Sequence, residues 1–324
     1  MSAPRTLLPS PHTEPMPAGI AGIRVANAPV SFGAFELDAG TYPDPPPPAF
    51  VLDEVARAGY EGIDLGPIGY LGRGSVLAEA LASRGLTLCG GYLELPFSDP
   101  AAMPAALRNL ADLLDLFDAA PQRQGRPRPK PTLADAGSDL RRARPCQAMR
   151  DLDLGLDGEG WKRFAAGVEM AVAMCRERGY EGTLHHEPGT FVEAPWEIER
   201  ALELTSIGLC LDTGHLVLGG GDPLSALHDW RSRINHVHIK DVHRAVADQV
   251  VREGAPALEI WRRNAFCRFG EGDARLDAVL DDLRAGYSGW LVAEQDTFPD
   301  PGGGLDQAAM DQRANREFLT VRGF

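Results

Sequence analysis

The chain has no long apolar run. No stretch approaches the ~20 residues a membrane span requires, and residues 1–22 contain neither the basic start nor the apolar segment of a secretory leader. Positive charge is in deficit: 32 Lys and Arg face 46 Asp and Glu, a formal charge of −14, which disfavours nucleic acid or an anionic membrane as partner. Cysteine is scarce. The five residues Cys89, Cys146, Cys175, Cys210 and Cys267 are odd in number and scattered, which excludes a CxxC metal knot and argues against a disulfide framework. Cys89 and Cys210 lie in apolar strand-like runs and read as buried thiols of a reducing compartment, so a cytoplasmic protein is expected. No glycine-rich dinucleotide fingerprint follows the first strand, which argues against an open doubly wound sheet.

What is present is alternation. The chain has 324 residues, 44% of them hydrophobic, enough for a sizeable core. Pro-rich residues 1–22 read as a disordered tail. Single strands and helices then alternate: strands over 23–31, 62–66, 86–95, 132–136, 183–187, 207–212, 234–242 and 290–294, and helices over 50–58, 75–84, 101–118, 158–179, 195–204, 223–230, 275–285 and 306–319. Gly90 and Gly91 open the third strand where the backbone bends or approaches a ligand. The Pro/Arg-rich stretch 119–131 has no periodicity and reads as an exposed, mobile loop. Residues 244–269 read as a long irregular excursion. Eight strand–helix units predict a closed (β/α)8 barrel over residues 23–298, with 299–324 forming a closing helix.

Barrel active sites form at the C-terminal ends of the strands, so the strand ends test the assignment. Strand five ends in His185-His186-Glu187, strand six in Asp212-Thr213-Gly214-His215, strand seven in His238-Ile239-Lys240-Asp241 and strand eight in Glu294-Gln295-Asp296. Four consecutive strands finish on carboxylates or imidazoles. Converging carboxylates repel one another and lose hydration, so one must hold a proton or a cation must sit among them. The mixed oxygen and nitrogen set suits Mn, Co, Mg or Zn rather than a thiolate zinc site.

Asp212, His238 and Glu294 are the candidate ligands, joined by His185 or Glu187, which share a face of strand five. Whichever of these two is not a ligand is a base or a substrate contact, while His186 should face the helices. His215 and Lys240 are candidates for substrate contact or acid–base work. The two-residue spacing of His236, His238 and Lys240 places all three on one face. Glu193 reads as an acid at a helix start, and Asp241 as a residue that orients a neighbour.

The segments HHEPGTFVE, LCLDTGHLVLGGGDP, RINHVHIKDV, FGEGDARLD and GYSGWLVAEQD resemble the xylose-isomerase-like barrel superfamily of sugar isomerases and epimerases. NAPVSFGAFE and LDEVARAGYEGIDLGPIGYL also resemble its inosose (2-keto-myo-inositol) dehydratase branch. The resemblance spans residues 23–296. It implies one divalent metal held at the ends of strands five to eight, with Asp212, His238 and Glu294 matching the last three ligands. His185 stands where many relatives carry Glu, with Glu187 two residues on. Asp64, where the branch often shows Glu, becomes a substrate contact.

The implied substrate is a keto-polyol or keto-sugar processed through an enediolate. Glu187, Glu294 or a histidine would serve as base, and His215 or Lys240 as acid. Dehydration is the leading expectation, with ketose epimerisation or aldose–ketose isomerisation as the alternative. A third reading is a sugar-binding subunit of a hetero-oligomeric lyase that cleaves glycosides. A phosphodiesterase like endonuclease IV fits neither the −14 charge nor the single metal set. A homo-oligomer is expected.

Overall fold

The computed structural model describes residues 22–35, 45–298 and 304–324; most of the expected N-terminal tail lies outside them. Eight parallel strands close into a barrel in sequence order: β1 Ile23–Asn27, β2 Gly62–Asp64, β3 Thr87–Leu95, β4 Lys130–Asp135, β5 Thr183–Leu184, β6 Gly208–Asp212, β7 Ile234–Ile239 and β8 Gly289–Ala293, with β8 pairing back to β1. Alternating side chains divide the core in two. Outward residues such as Val25, Ile63, Leu133, Leu211, Val237 and Leu291 pack beneath the helices. Inward residues Ala26, Cys89, Trp290 and Val292 fill the barrel itself.

Two glycine positions are fixed by space. A Cβ on Gly91 would stand 2.8 Å from Leu113 and 3.0 Å from Phe117, so the bare backbone admits the helix Met103–Ala119. A Cβ on Gly90 would stand 2.8 Å from Asp64 Oδ2. The glycine pair therefore serves packing and makes room for an acid.

The stretch 121–129 is a loop with residues 122–125 exposed, as expected, and several other expectations need correction. The stretch 119–131 is pinned at the N-terminal end of the barrel, away from the site. The buried Trp290 indole donates to Pro127 O at 3.0 Å, Arg128 donates to Gly179 O at 2.8 Å, and Arg126 pairs with Glu61. The seventh strand stops at Ile239. Asp241–Val242 then pairs antiparallel with Phe266–Cys267. The supposedly irregular excursion holds two helices, Arg244–Glu253 and Leu258–Arg262. The first strand ends at Asn27 and passes into a 3-10 turn, Pro29–Phe32. All five cysteines are free. No helix among the described residues is long and apolar enough to cross a membrane.

Candidate metal centre

Register places the site. Asp212 on β6 is the partner of His238 on β7, and His238 is the partner of Val292 on β8. Glu294 therefore follows two residues beyond Val292, on the inward side. Asp212 also caps a helix that begins at once, Thr213–Leu218, its Oδ1 accepting from His215 N at 2.9 Å. The Thr-Gly-His run that reads as a turn is thus helical, and its first turn swings His215 back over the carboxylate.

Asp212 Oδ2 is the point of convergence. It lies 3.4 Å from His185 Nε2, 3.7 Å from His238 Nδ1, 3.9 Å from His215 Nε2 and 3.2 Å from Lys240 Nζ. Glu294 Oε2 stands 3.1 Å from His238 Nδ1 and 3.0 Å from Lys240 Nζ. Donor atoms of Asp212, His238 and Glu294 all fall within 4.8 Å of one another, as do those of Asp212, His185 and His215. Among the described residues His238 Nδ1 is aligned for a hydrogen bond with neither carboxylate, and Nε2 has no partner. Two buried carboxylates facing unpartnered imidazole nitrogens fit a divalent cation.

The protonation states suit that arrangement in part: burial would lower His238, but Cys210, Glu294 and Asp212 outweigh it and raise the ring well above its usual range, so a cation there would have to displace a proton. Burial pushes the His185 imidazole down to about 4 against the pull of Asp212, which leaves a neutral ring with a lone pair to offer. Burial would raise Asp212, but Lys240 and His215 outweigh it and hold the carboxyl well below its usual range. Lys240 is buried too, yet Asp212, Asp296 and Glu294 raise its affinity for the proton, so it stays an ammonium. Burial raises Glu187 to about 7, opposed by His215 and by a close hydrogen bond from Tyr92. Asp64 is raised to about 6, again chiefly by burial.

His185, Glu187, His238, Lys240, Glu294 and Asp64 line one cavity of about 510 Å³ at the mouth. His215 lies behind it, 2.8 Å from Lys240 Nζ. Both strand-five candidates are present: Glu187 Oε2 stands 3.9 Å from His185 Nδ1, on the side away from Asp212. His186 is buried and accepts from Asp212 N at 3.2 Å, outside the cavity lining. His236 is buried beside His238, rings 5.1 Å apart, below the cavity rather than in its wall.

Asp241 has another role than expected, while Glu193 stands at a helix start, directly before the cap Ala194, as its position implied. Asp241 does not orient a site residue: its carboxylate accepts from Gly270 N, Gly272 N and Ala274 N and shapes the loop before the last barrel strand. Glu193 is a buried strut, accepting from Gly189 N at 2.9 Å.

The structure adds residues that the sequence reading passed over. Asp296 accepts from Lys240 Nζ and from Trp261 Nε1 at 3.0 Å, and Tyr92 and Glu94 stand in the cavity wall beside Glu187. Asp296 was findable, since it sits two residues beyond Glu294 on the same face.

Asp135, at the end of β4, yields a pH prediction. Burial raises its carboxyl to about 6, against hydrogen bonds from Gly137 N and Phe191 N. The folded state then binds more protons than the unfolded state between about pH 4 and 6, so stability from this group is fullest at low pH. It is lost as pH rises through 6, by about 3 kcal/mol. Asp135→Asn should remove that component. Urea midpoints measured from pH 4 to 7 should slope differently in the two proteins, and parallel curves would refute the assignment.

Acids and imidazoles gathered at one end of a closed parallel barrel define the class: a TIM barrel with a candidate metal centre at its C-terminal mouth. The chain belongs to the xylose isomerase-like TIM barrel family, whose model matches residues 52–316. It is 33% identical over 168 residues to an inosose dehydratase of Clostridium perfringens, covering 50% of this chain and 56% of that protein. The chain thus matches about half the length of this curated relative. Among solved structures it resembles a probable 3-DHS dehydratase from Bacillus anthracis, with a TM-score of 0.64 and 14% identity over 92% of this chain and 98% of the other. It also resembles the IOLI protein with a bound zinc atom, with a TM-score of 0.63 and 13% identity over 93% and 99%.

Proposed function

We propose that the protein is a divalent-metal-dependent enzyme of the inosose dehydratase type, acting on a keto-polyol or keto-sugar through an enediolate. The observation that carries this is the convergence of Asp212, His238 and Glu294 donor atoms within 4.8 Å, beside a cavity into which Glu187 and Lys240 also face. The curated relatives' printed name, inosose dehydratase, favours dehydration, while the solved neighbours include epimerases as well as a dehydratase. The zinc bound in a structural neighbour supports a metal at this mouth.

Asp212, His238 and Glu294 would hold the ion, with His185 as fourth donor. When bound, a divalent ion there supplies Lewis acidity toward a ketone oxygen. The remaining chemistry belongs to the chain. Glu187, poised near neutrality by burial, takes the proton from the carbon next to the ketone. Lys240, an ammonium held by Asp296, gives a proton to the departing β-hydroxyl, which leaves as water. His215 Nε2, 2.8 Å from Lys240 Nζ, is placed to relay that proton. Among the described residues Asp64 Oδ2 has no hydrogen-bond partner, which leaves it to hold a substrate hydroxyl.

The test is a panel of keto-inositols and keto-sugars in D2O with Mn, Co, Mg or Zn. Deuterium should enter the carbon beside the ketone, and loss of 18 mass units in the product marks dehydration. Deuterium uptake at unchanged composition marks an epimerase or isomerase. Absence of exchange with every compound and metal sinks the reading.

A further inference from the structure

We infer that the mouth of the cavity carries an apolar subsite, and that the substrate is a keto-sugar or keto-polyol bearing an aromatic or alkyl substituent; this rests on the keto-sugar reading above. While Glu94, Arg142 and Thr190 also line the cavity, the acids and imidazoles assigned above stand at the strand ends. Above them, one wall is built from Pro29, Val30, Pro67, Pro256, Leu258 and Trp261. Five of these have no side-chain hydrogen-bonding group, and the indole N–H of Trp261 is committed to Asp296 at 3.0 Å. Elsewhere in the lining the Arg142 guanidinium donates to Ala136 O at 2.8 Å and Asp139 Oδ1 at 2.9 Å. The Thr190 hydroxyl is engaged by Glu187 O and Val192 O, both at 3.0 Å.

A polyol with a hydroxyl on every carbon would lose water against such a wall without regaining hydrogen bonds, which is costly. An aryl or alkyl group gains from the same burial. The volume of about 510 Å³ lies in the range of drug-sized ligand sites, ample for more than one six-carbon ring.

The wall is built, not incidental. Gly66 has φ +62°, and a Cβ there would stand 2.8 Å from Pro29, so the two turns that carry Pro29 and Pro67 lock together. Leu258 and Trp261 lie three residues apart in one short helix. That helix is anchored by buried Ile260 and by Ala257 N, which donates to Arg142 O at 2.8 Å. The Trp261 ring is backed by Phe266 at 5.9 Å.

The test uses the Mn-loaded protein and pairs of compounds: a keto-inositol and a keto-glucose, each free and each with a phenyl group remote from the ketone. Solvent deuterium exchange gives kcat/KM. The phenyl compounds should exceed the free ones by about tenfold or more, mainly through KM. Leu258→Asn should bring the ratio close to one, and Val30→Asn serves if that variant does not fold. Equal kcat/KM for the members of each pair, or a ratio unmoved by either substitution, overturns the subsite while the enediolate reading stands. Should no compound exchange, the enediolate reading falls, and calorimetry with unreactive phenyl glucoside against glucose decides the subsite separately. About tenfold tighter binding of the phenyl compound supports it, and equal affinity overturns it.

Discussion

Replacing Asp212 by asparagine is expected to abolish retention of a divalent metal ion and to lower turnover by about a thousandfold or more, with the chain still folded. The substitution separates the two jobs of this side chain. Oδ1 caps the helix Thr213–Leu218 through His215 N, and an amide oxygen can do the same. The amide nitrogen must then stand where Oδ2 stood, 3.4 Å from His185 Nε2 and 3.2 Å from the Lys240 ammonium. It offers donors where a cation needs a charged acceptor. Stability should suffer less than activity, because Lys240 keeps Glu294 and Asp296, each with an oxygen 3.0 Å from Nζ. Elemental analysis after reconstitution and dialysis, beside circular dichroism, checks the claim. Full metal occupancy in a folded variant would remove Asp212 from the ligand set.

The barrel was legible because a parallel strand covered by helices must alternate with them, and each hydrophobic period is local. The ends of β6 to β8 were legible for a related reason: closure brings every C-terminal end to one mouth, so chemistry-bearing residues there must meet. Asp212, His238 and Glu294 are spread over 83 positions of chain and still meet at one point. What local pattern could not give was the course of the chain after each strand. The helix Thr213–Leu218 is only six residues long and begins with Thr-Gly, which reads as a turn; the Asp212 cap and burial of Leu216 and Val217 decide it. The helix Arg244–Glu253, by contrast, buries Ala247 and Val250 and packs Val246 against the core, a stripe at helical spacing that was readable in the sequence and was missed.

The same limit applies within the site. Trp261 takes its place through a hydrogen bond to Asp296, 35 residues away, and Tyr92 meets Glu187 across 95 residues. Neither partner is marked by spacing. The alternation Tyr92-Leu93-Glu94 on β3 did carry a signal, since inward polar residues near a strand's C-terminal end belong to the mouth. Asp241 misled in the opposite way. It follows Lys240 directly, but the strand has already ended at Ile239, and the chain turns into the ribbon Asp241–Val242 that aims the carboxylate at Gly270, Gly272 and Ala274.

Arg141→Met is expected to cost about 3–5 kcal/mol of stability, the largest loss expected from any single charge removed outside the metal centre. Arg141 is fully buried and grips Glu197 with both arms, Nη1 to Oε1 at 2.9 Å and Nη2 to Oε2 at 3.0 Å, with Glu193 Oε1 3.7 Å away. Removing the guanidinium strands two buried acids. Burial already raises Glu197, and without Arg141 it would bind a proton or open the packing around it. Glu197→Gln added to Arg141→Met should recover part of the loss, because the amide oxygen can still accept from Glu193 N and Ala194 N while the charge is gone. The damage should reach the active site by a definite route: Glu193, held beside Arg141, fixes Gly189 N, two residues from Glu187. A loosened Glu193 lets the loop that presents Glu187 drift, so exchange activity should fall in Arg141→Met even at temperatures where the variant remains folded. Chemical denaturation of the single and double variants gives the energies. Equal stability of Arg141→Met and the native protein would mean that Glu193 and Glu197 are held by their backbone hydrogen bonds alone.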